Sequence, residues 1–157
     1  MWVVWWEHKQ EEDWVFLLIE ARNAFNEENR TAMLWAVCHE WTSGAQFAFN
    51  CYCYWATLVV WDRGDGSGHF LHSKEGVTQG YPLAMIAYGI GVLPLTRELW
   101  DSHPQVTQSW YADDVVGGGK FQQILEHFRD LQARGPDRGY YPDPTKSISV
   151  IAPGNIA

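Results

Sequence analysis

The chain has 157 residues, the size of one domain with one hydrophobic core, since domains cluster near roughly 100 to 150 residues. Eleven Lys and Arg against 19 Asp and Glu leave a formal net charge of −8, which argues against a self-sufficient binder of DNA or RNA driven by phosphate neutralisation. With 46% apolar residues and ten tryptophans, the composition is that of a folding chain, because low-complexity disorder is poor in aromatic and β-branched residues.

Three cysteines make no disulfide framework and suit a reducing, intracellular setting in cytoplasm or nucleus. The run Trp2-Val3-Val4-Trp5-Trp6 is too short for a signal core and passes straight into Glu7 to Asp13. Secretion is therefore not expected, and residues 1–13 are read as an N-terminal extension. The longest uncharged stretch, Gly76 to Thr96, is interrupted by Pro82 and Pro94, so no membrane span is expected.

In chain order, the short apolar run Trp14 to Ile19 predicts a buried strand. Asn26, with Glu27 and Glu28 in the first turn, predicts a helix from Asn26 to Trp41 that stops at Ser43-Gly44. Aromatic and β-branched stretches predict strands at Phe47 to Tyr54 and Ala56 to Trp61, with a glycine-rich turn at 63–68 leading into His69 to His72. A buried helix is expected from Pro82 to Trp100. Val106 to Tyr111 and Val115-Val116 flank Ala112-Asp113-Asp114 as the arms and tip of a hairpin. An amphipathic helix spans Lys120 to Ala133, with Phe121, Ile124, Leu125, Phe128 and Leu131 on one face. A turn at Tyr140 to Thr145 and a strand at Ser147 to Ile151 close the chain.

Adjacent carboxylates raise one another's pKa unless a cation holds them, so Asp113-Asp114 asks for a metal, against the simpler alternative of ordinary turn chemistry. Glu20 ends the first strand, and two adjacent central strands would bring it to the same edge, where converging carboxylates can hold two Mg²⁺ ions. Other patterns are weaker. Cys51 and Cys53 with His69 and His72 have zinc-ligand types but no recognised spacing. Gly117-Gly118-Gly119-Lys120 lacks the remainder of a phosphate loop and reads as a flexible turn. Arg63-Gly64-Asp65 reads as a hairpin turn. The Trp-rich start is either exposed surface or a partner contact.

Tyr111-Ala112-Asp113-Asp114 resembles the Tyr-X-Asp-Asp box of reverse transcriptases, and Gly76 to Ala84, with Gln79-Gly80 ahead of Pro82, resembles their second palm motif. Glu20-Ala21-Arg22-Asn23-Ala24-Phe25-Asn26 is similar to the first, in which an Asp is followed by Ala and then an aromatic residue five positions on, and Lys146 is similar to the lysine of the fourth. The four stand in the family's order from Trp14 to Ile151, most like retroelement enzymes lacking long terminal repeats. The resemblance implies an α+β, polymerase palm-like fold over residues 14–157, a ferredoxin-like antiparallel sheet with helices packed on one face, lacking complete fingers and thumb. It implies RNA-directed DNA synthesis with two Mg²⁺ ions, or Mn²⁺ in their place. RNA template, DNA primer and deoxynucleotide would be its partners, with other segments of a parent polyprotein.

Under the same resemblance Glu20 and Asp113 are the main metal ligands and catalytic carboxylates, and Asp114 is an auxiliary one. Phe25 is the steric gate against a 2′-hydroxyl, Gln79 and Gly80 lie by the incoming nucleotide and template, and Lys146 assists the leaving pyrophosphate. On residue type alone, Phe25 reads equally well as a core aromatic and Lys146 as a surface cation. Glu20 replaces the family's Asp, and its extra methylene moves the carboxylate by roughly 1.5 Å. Tyr81 stands where similar enzymes often have a small or acidic residue. Only nineteen residues precede Glu20 and eleven follow Lys146. The alternative expectation is a catalytically inactive palm relic serving as a binding or structural module, or a remnant of a retroelement.

Overall fold

The computed structural model describes residues 2–11, 13–64 and 66–151; Asp65 of the expected glycine-rich turn and positions 152–157 of the expected domain lie outside them. A four-stranded antiparallel sheet in the order β4-β5-β1-β6 is built from β1 (Trp14–Glu20), β4 (Thr107–Tyr111), β5 (Asp114–Lys120) and β6 (Ile148–Ile151). The central pair opposes Glu20 to Asp114, Leu18 to Val116, Phe16 to Gly118 and Trp14 to Lys120. Opposed residues share a face and neighbours alternate, so β1 sends Val15, Leu17 and Ile19 to one side and Trp14, Phe16, Leu18 and Glu20 to the other.

The first side is the core. Helix α6 (Phe121–Arg134) packs against β1 and β5, its Ile124, Leu125 and Phe128 sharing a small cavity with Val15 and Leu17. Helix α5 (Ala84–Ser102) buries Ala84, Ala87, Tyr88, Gly91, Val92, Leu95 and Leu99, a helical stripe, and packs on α6 and on α3 (Arg30–Glu40). On the opposite side, α1 (Trp2–His8) sets Trp5 against Trp14 and Phe16, with ring centroids 5.8 and 6.2 Å apart. The Trp-rich start is thus in part a lid on one end of this face, whose other end, at Leu18 and Glu20, is open. Among the described residues no helix is long and apolar enough to cross a membrane.

Three expectations are corrected. The helix expected from Asn26 is divided into α2 (Ala24–Glu27) and α3. Asn29 is the cap, its Oδ1 accepting from Ala32 N at 3.0 Å, while the Asn26 side chain bonds back to Asn23. The strand expected at Phe47 to Tyr54 is instead α4 (Thr42–Tyr52), which runs through the expected stop at Ser43-Gly44. Its buried residues are Gly44, Ala48 and Tyr52, spaced by four, and that helical period outweighs the strand preference of Phe47 and Phe49.

The third correction is the glycine triplet, which lies inside β5 and is buried. A Cβ on Gly118 would come within 2.8 Å of the Trp14 ring, and one on Gly117 within 3.4 Å of Ile124. Glycine is present because an indole and a helix close on the strand from its two faces. The remaining pair, β2 (Ala56–Trp61) and β3 (Gly68–Ser73), forms the expected hairpin as a separate two-stranded sheet. It is fastened at its base by Arg30, whose buried guanidinium donates to the carbonyls of Ser73, Glu75 and Gly76 at 2.9–3.1 Å.

Candidate active site

β1 ends in Glu20, and β4 turns into β5 through Ala112 and Asp113, with Tyr111 opposed to Asp114. The two strands are neighbours, so Glu20 and Asp114 stand across from each other on the open face, and Asp113 sits at the adjoining tip. Ala112 has φ 54°, a left-handed conformation that residues other than glycine seldom take. The turn is held from below, where the Tyr140 hydroxyl donates to the Asp113 carbonyl at 2.9 Å.

Lys146 reaches this edge from the turn before β6, and its Nζ donates to Glu20 Oε1 at 2.7 Å. That turn is organised by Asp143, whose Oδ1 accepts from Thr145 N and Oγ1 at 3.0 and 2.6 Å. Glu20, Asp114 and Lys146 line one cavity of about 220 Å³ with Leu18, Ile19, Val115, Val116 and Ile148. Partial burial, then the like charges of Asp113 and Glu20, hold the Asp114 carboxyl above the usual range. Such repulsion is what a divalent cation relieves, and carboxylate oxygens are the hard donors that Mg²⁺ and Mn²⁺ take. In the present geometry Glu20 is engaged by Lys146, and no three His, Cys, Asp or Glu side chains among the described residues are close enough to hold one ion.

Of the other expected site residues, Phe25 is half-buried and its ring stacks on Tyr88 with centroids 4.6 Å apart. It therefore packs on the core and is absent from the lining of the carboxylate cavity. Gln79 and Gly80 are exposed in the turn before α5, where Gly80 takes φ 83° with open space around its Cα. This turn is brought beside the first motif by hydrogen bonds from Gly76 N to Glu28 O and from Val77 N to Phe25 O, 2.8 and 2.7 Å. Tyr81 lines a separate cavity with Cys51, Tyr52 and Thr78. Cys51 is exposed at the end of a helix, and it joins no cluster of metal-ligand side chains among the described residues.

Tyr140, Arg30 and two buried ionisable groups went unseen in the sequence. Glu28 is 1% exposed, and neither carboxylate oxygen has a hydrogen-bond partner among the described residues. Burial pushes its pKa up to about 8, with Arg30 pulling the other way. His127 is likewise enclosed, with its ring edge-on to His103 at 5.4 Å and its pKa lowered to about 4, by burial first and then by His103. Gly139, with φ 76° directly ahead of Tyr140, was the one local signal that this turn is tightly packed.

No family model matches the sequence, and no curated protein matches it significantly. Solved structures of telomerase share its fold. Apo telomerase from Candida tropicalis superposes with a TM-score of 0.70 at 12% identity, covering 94% of this chain and 30% of that one. Telomerase from Candida albicans in complex with a TWJ fragment of telomeric RNA gives a TM-score of 0.70 at 12% identity, covering 94% and 29%. Candida tropicalis telomerase truncated from its C-terminal domain gives 0.67 at 13%, covering 94% and 32%. The chain thus spans about a third of the length of these structures. What it shares with them is the fold, a mixed helical and antiparallel-sheet, palm-like one.

Proposed function

We propose that this chain is the palm of a retroelement reverse transcriptase, of the type lacking long terminal repeats, carrying the carboxylates for RNA-directed DNA synthesis. The observation that carries the reading is the cross-strand opposition of Glu20 and Asp114, with Asp113 at the hairpin tip and Lys146 beside them. Three of the four sequence patterns adjoin at one sheet edge, through Glu20, Asp113-Asp114 and Lys146, the second palm pattern is hydrogen-bonded to Phe25 and Glu28, and a shared fold with telomerase agrees with that family. Two of the telomerase structures contain telomeric RNA, which supports a nucleic-acid partner.

In this reading Glu20, Asp113 and Asp114 would hold two Mg²⁺ ions, or Mn²⁺, which supply a Lewis acid for the attacking hydroxyl and the transferring phosphoryl group. The chain's own residues do the rest. Phe25 borders the deoxynucleotide sugar, Gln79 and Gly80 admit the base pair, and Lys146 is the cation nearest the departing pyrophosphate. The charge of −8 then belongs to a palm that supplies carboxylates, while the basic surface that grips template and primer lies on other segments of the parent polyprotein.

The second reading, an inactive relic kept as a binding module or a remnant, is favoured by one observation, the Lys146 ammonium on Glu20 where a metal is needed. Primer extension on an RNA template with Mg²⁺ or Mn²⁺ separates the two. The polymerase reading expects extension by the parent chain or by Glu20→Asp and none by Asp113→Ala. No extension by parent and Glu20→Asp alike overturns it for this chain alone.

A further inference from the structure

We propose that Tyr140 is the positioning residue of the carboxylate hairpin, its hydroxyl tethering the Asp113 peptide so that the Asp113-Asp114 tip keeps a fixed relation to Glu20. The tether stands on geometry, while its consequence for metal binding rests on the polymerase reading.

Tyr140 is fully buried and donates to the Asp113 carbonyl at 2.9 Å. The turn it holds needs an external tie, because two-residue hairpins favour glycine or asparagine at a positive φ and Ala112 occupies that position at 54°. Tyr140 is itself immobilised. Its N–H donates to Gly135 O at 2.9 Å, and a Cβ at Gly135 would run into the Tyr140 carbonyl. Trp110 of the same hairpin lies against its ring, with centroids 5.5 Å apart.

The same segment also holds the other carboxylate. Arg22 N donates to Tyr141 O and Asp143 N to Glu20 O, both at 2.8 Å, and Pro142 bridges to Ala21. Residues 140–146 therefore touch the end of β1 and the β4–β5 tip together, and deliver Lys146 to Glu20. A strap anchored at both points sets the spacing between Glu20 and Asp113, which neither strand controls alone.

The test compares the parent chain with Tyr140→Phe, which keeps the ring and removes the hydroxyl, using Asp113→Ala as reference. Mn²⁺ binding is followed by electron paramagnetic resonance and the amide signals of residues 112–114 by NMR. Outer partners of metal ligands are typically worth about ten- to a hundredfold in metal affinity. Tyr140→Phe is expected to weaken Mn²⁺ binding by that factor, to shift or broaden the signals of 112–114, and to lower kcat for primer extension with KM for the deoxynucleotide unchanged. Unchanged signals and unchanged Mn²⁺ affinity overturn the proposal.

A parent that binds no Mn²⁺ while its tip signals still respond to Tyr140→Phe overturns the polymerase reading and keeps the tether. No Mn²⁺ binding and no response overturn both. If Tyr140→Phe does not fold, the parent decides: a slowly exchanging Tyr140 hydroxyl proton close to the 113–114 peptide is expected, and a freely exchanging one overturns the tether.

Discussion

Lys146 Nζ lies 2.7 Å from Glu20 Oε1, a contact between residues separated by 126 positions in the chain. Both side chains are more than two-fifths exposed, so the pair sits in high dielectric and contributes little to stability. Its effect is on occupancy, because an ammonium neutralises the carboxylate that a divalent cation would need. Lys146→Gln is therefore expected to tighten Mn²⁺ binding by up to about fivefold and to leave the thermal midpoint nearly unchanged. Isothermal titration calorimetry checks the affinity and a differential scanning calorimetry scan the midpoint, and an affinity that falls would show that Lys146 does not compete for Glu20.

Glu28 makes stability depend on pH in an unusual direction. Its pKa is about 8 in the folded chain against an ordinary 4.5, so between those values the folded state holds a proton that the unfolded state has released. The contribution of this group to stability is highest below pH 4.5, declines as pH rises towards 8 and levels off above it, a loss on the order of 5 kcal/mol. Urea titrations at pH 5, 7 and 9 should show the decline in the parent and a flatter profile in Glu28→Gln.

His127 acts in the opposite sense. Its pKa of about 4, down from 6.5, means that the unfolded state takes up a proton first as the solution is acidified. Its contribution is constant above pH 6.5 and lost as pH falls from 6.5 to 4, by about 3 kcal/mol. His127→Leu is expected to be less sensitive than the parent across that interval. A parallel decline in parent and variant would sink the assignment.

Gly118→Val tests the correction made to the glycine triplet. The new side chain meets Trp14, which Trp5 and Phe16 back from above. Overpacking of this kind costs about 1–3 kcal/mol and should shift Trp emission together with the urea midpoint. A flexible turn at this position would have tolerated the change.

The central strand and the hairpin were legible because their signals are local. Trp14 to Ile19 is a continuous apolar run, and Asp113-Asp114 breaks two short β-prone arms, so β1 and β4 lie within a residue of where they were expected, while β5 runs four residues beyond its expected end, through the glycine triplet. Helix α4 was hidden because Phe47 and Phe49 carry strand preference while remaining exposed. Only the packing of α4 on α3 reveals that Gly44, Ala48 and Tyr52 form the buried face. His127 was missed for a related reason, since a polar residue on an amphipathic helix is assigned to solvent until a neighbouring element covers it.

The sequence by itself determined which carboxylates exist, the strand and hairpin that carry them, and the order of the four patterns, because side-chain alternation and turn chemistry act over a few residues. The tertiary structure decided that Glu20 opposes Asp114, that Lys146 closes on Glu20, and that Tyr140 holds the Asp113 peptide. Those relations depend on the β1–β5 register and on how residues 139–147 wrap the end of β1. Register is set by the burial of whole faces, and the wrap by backbone contacts at Gly135 and Gly139 that leave no room for a side chain.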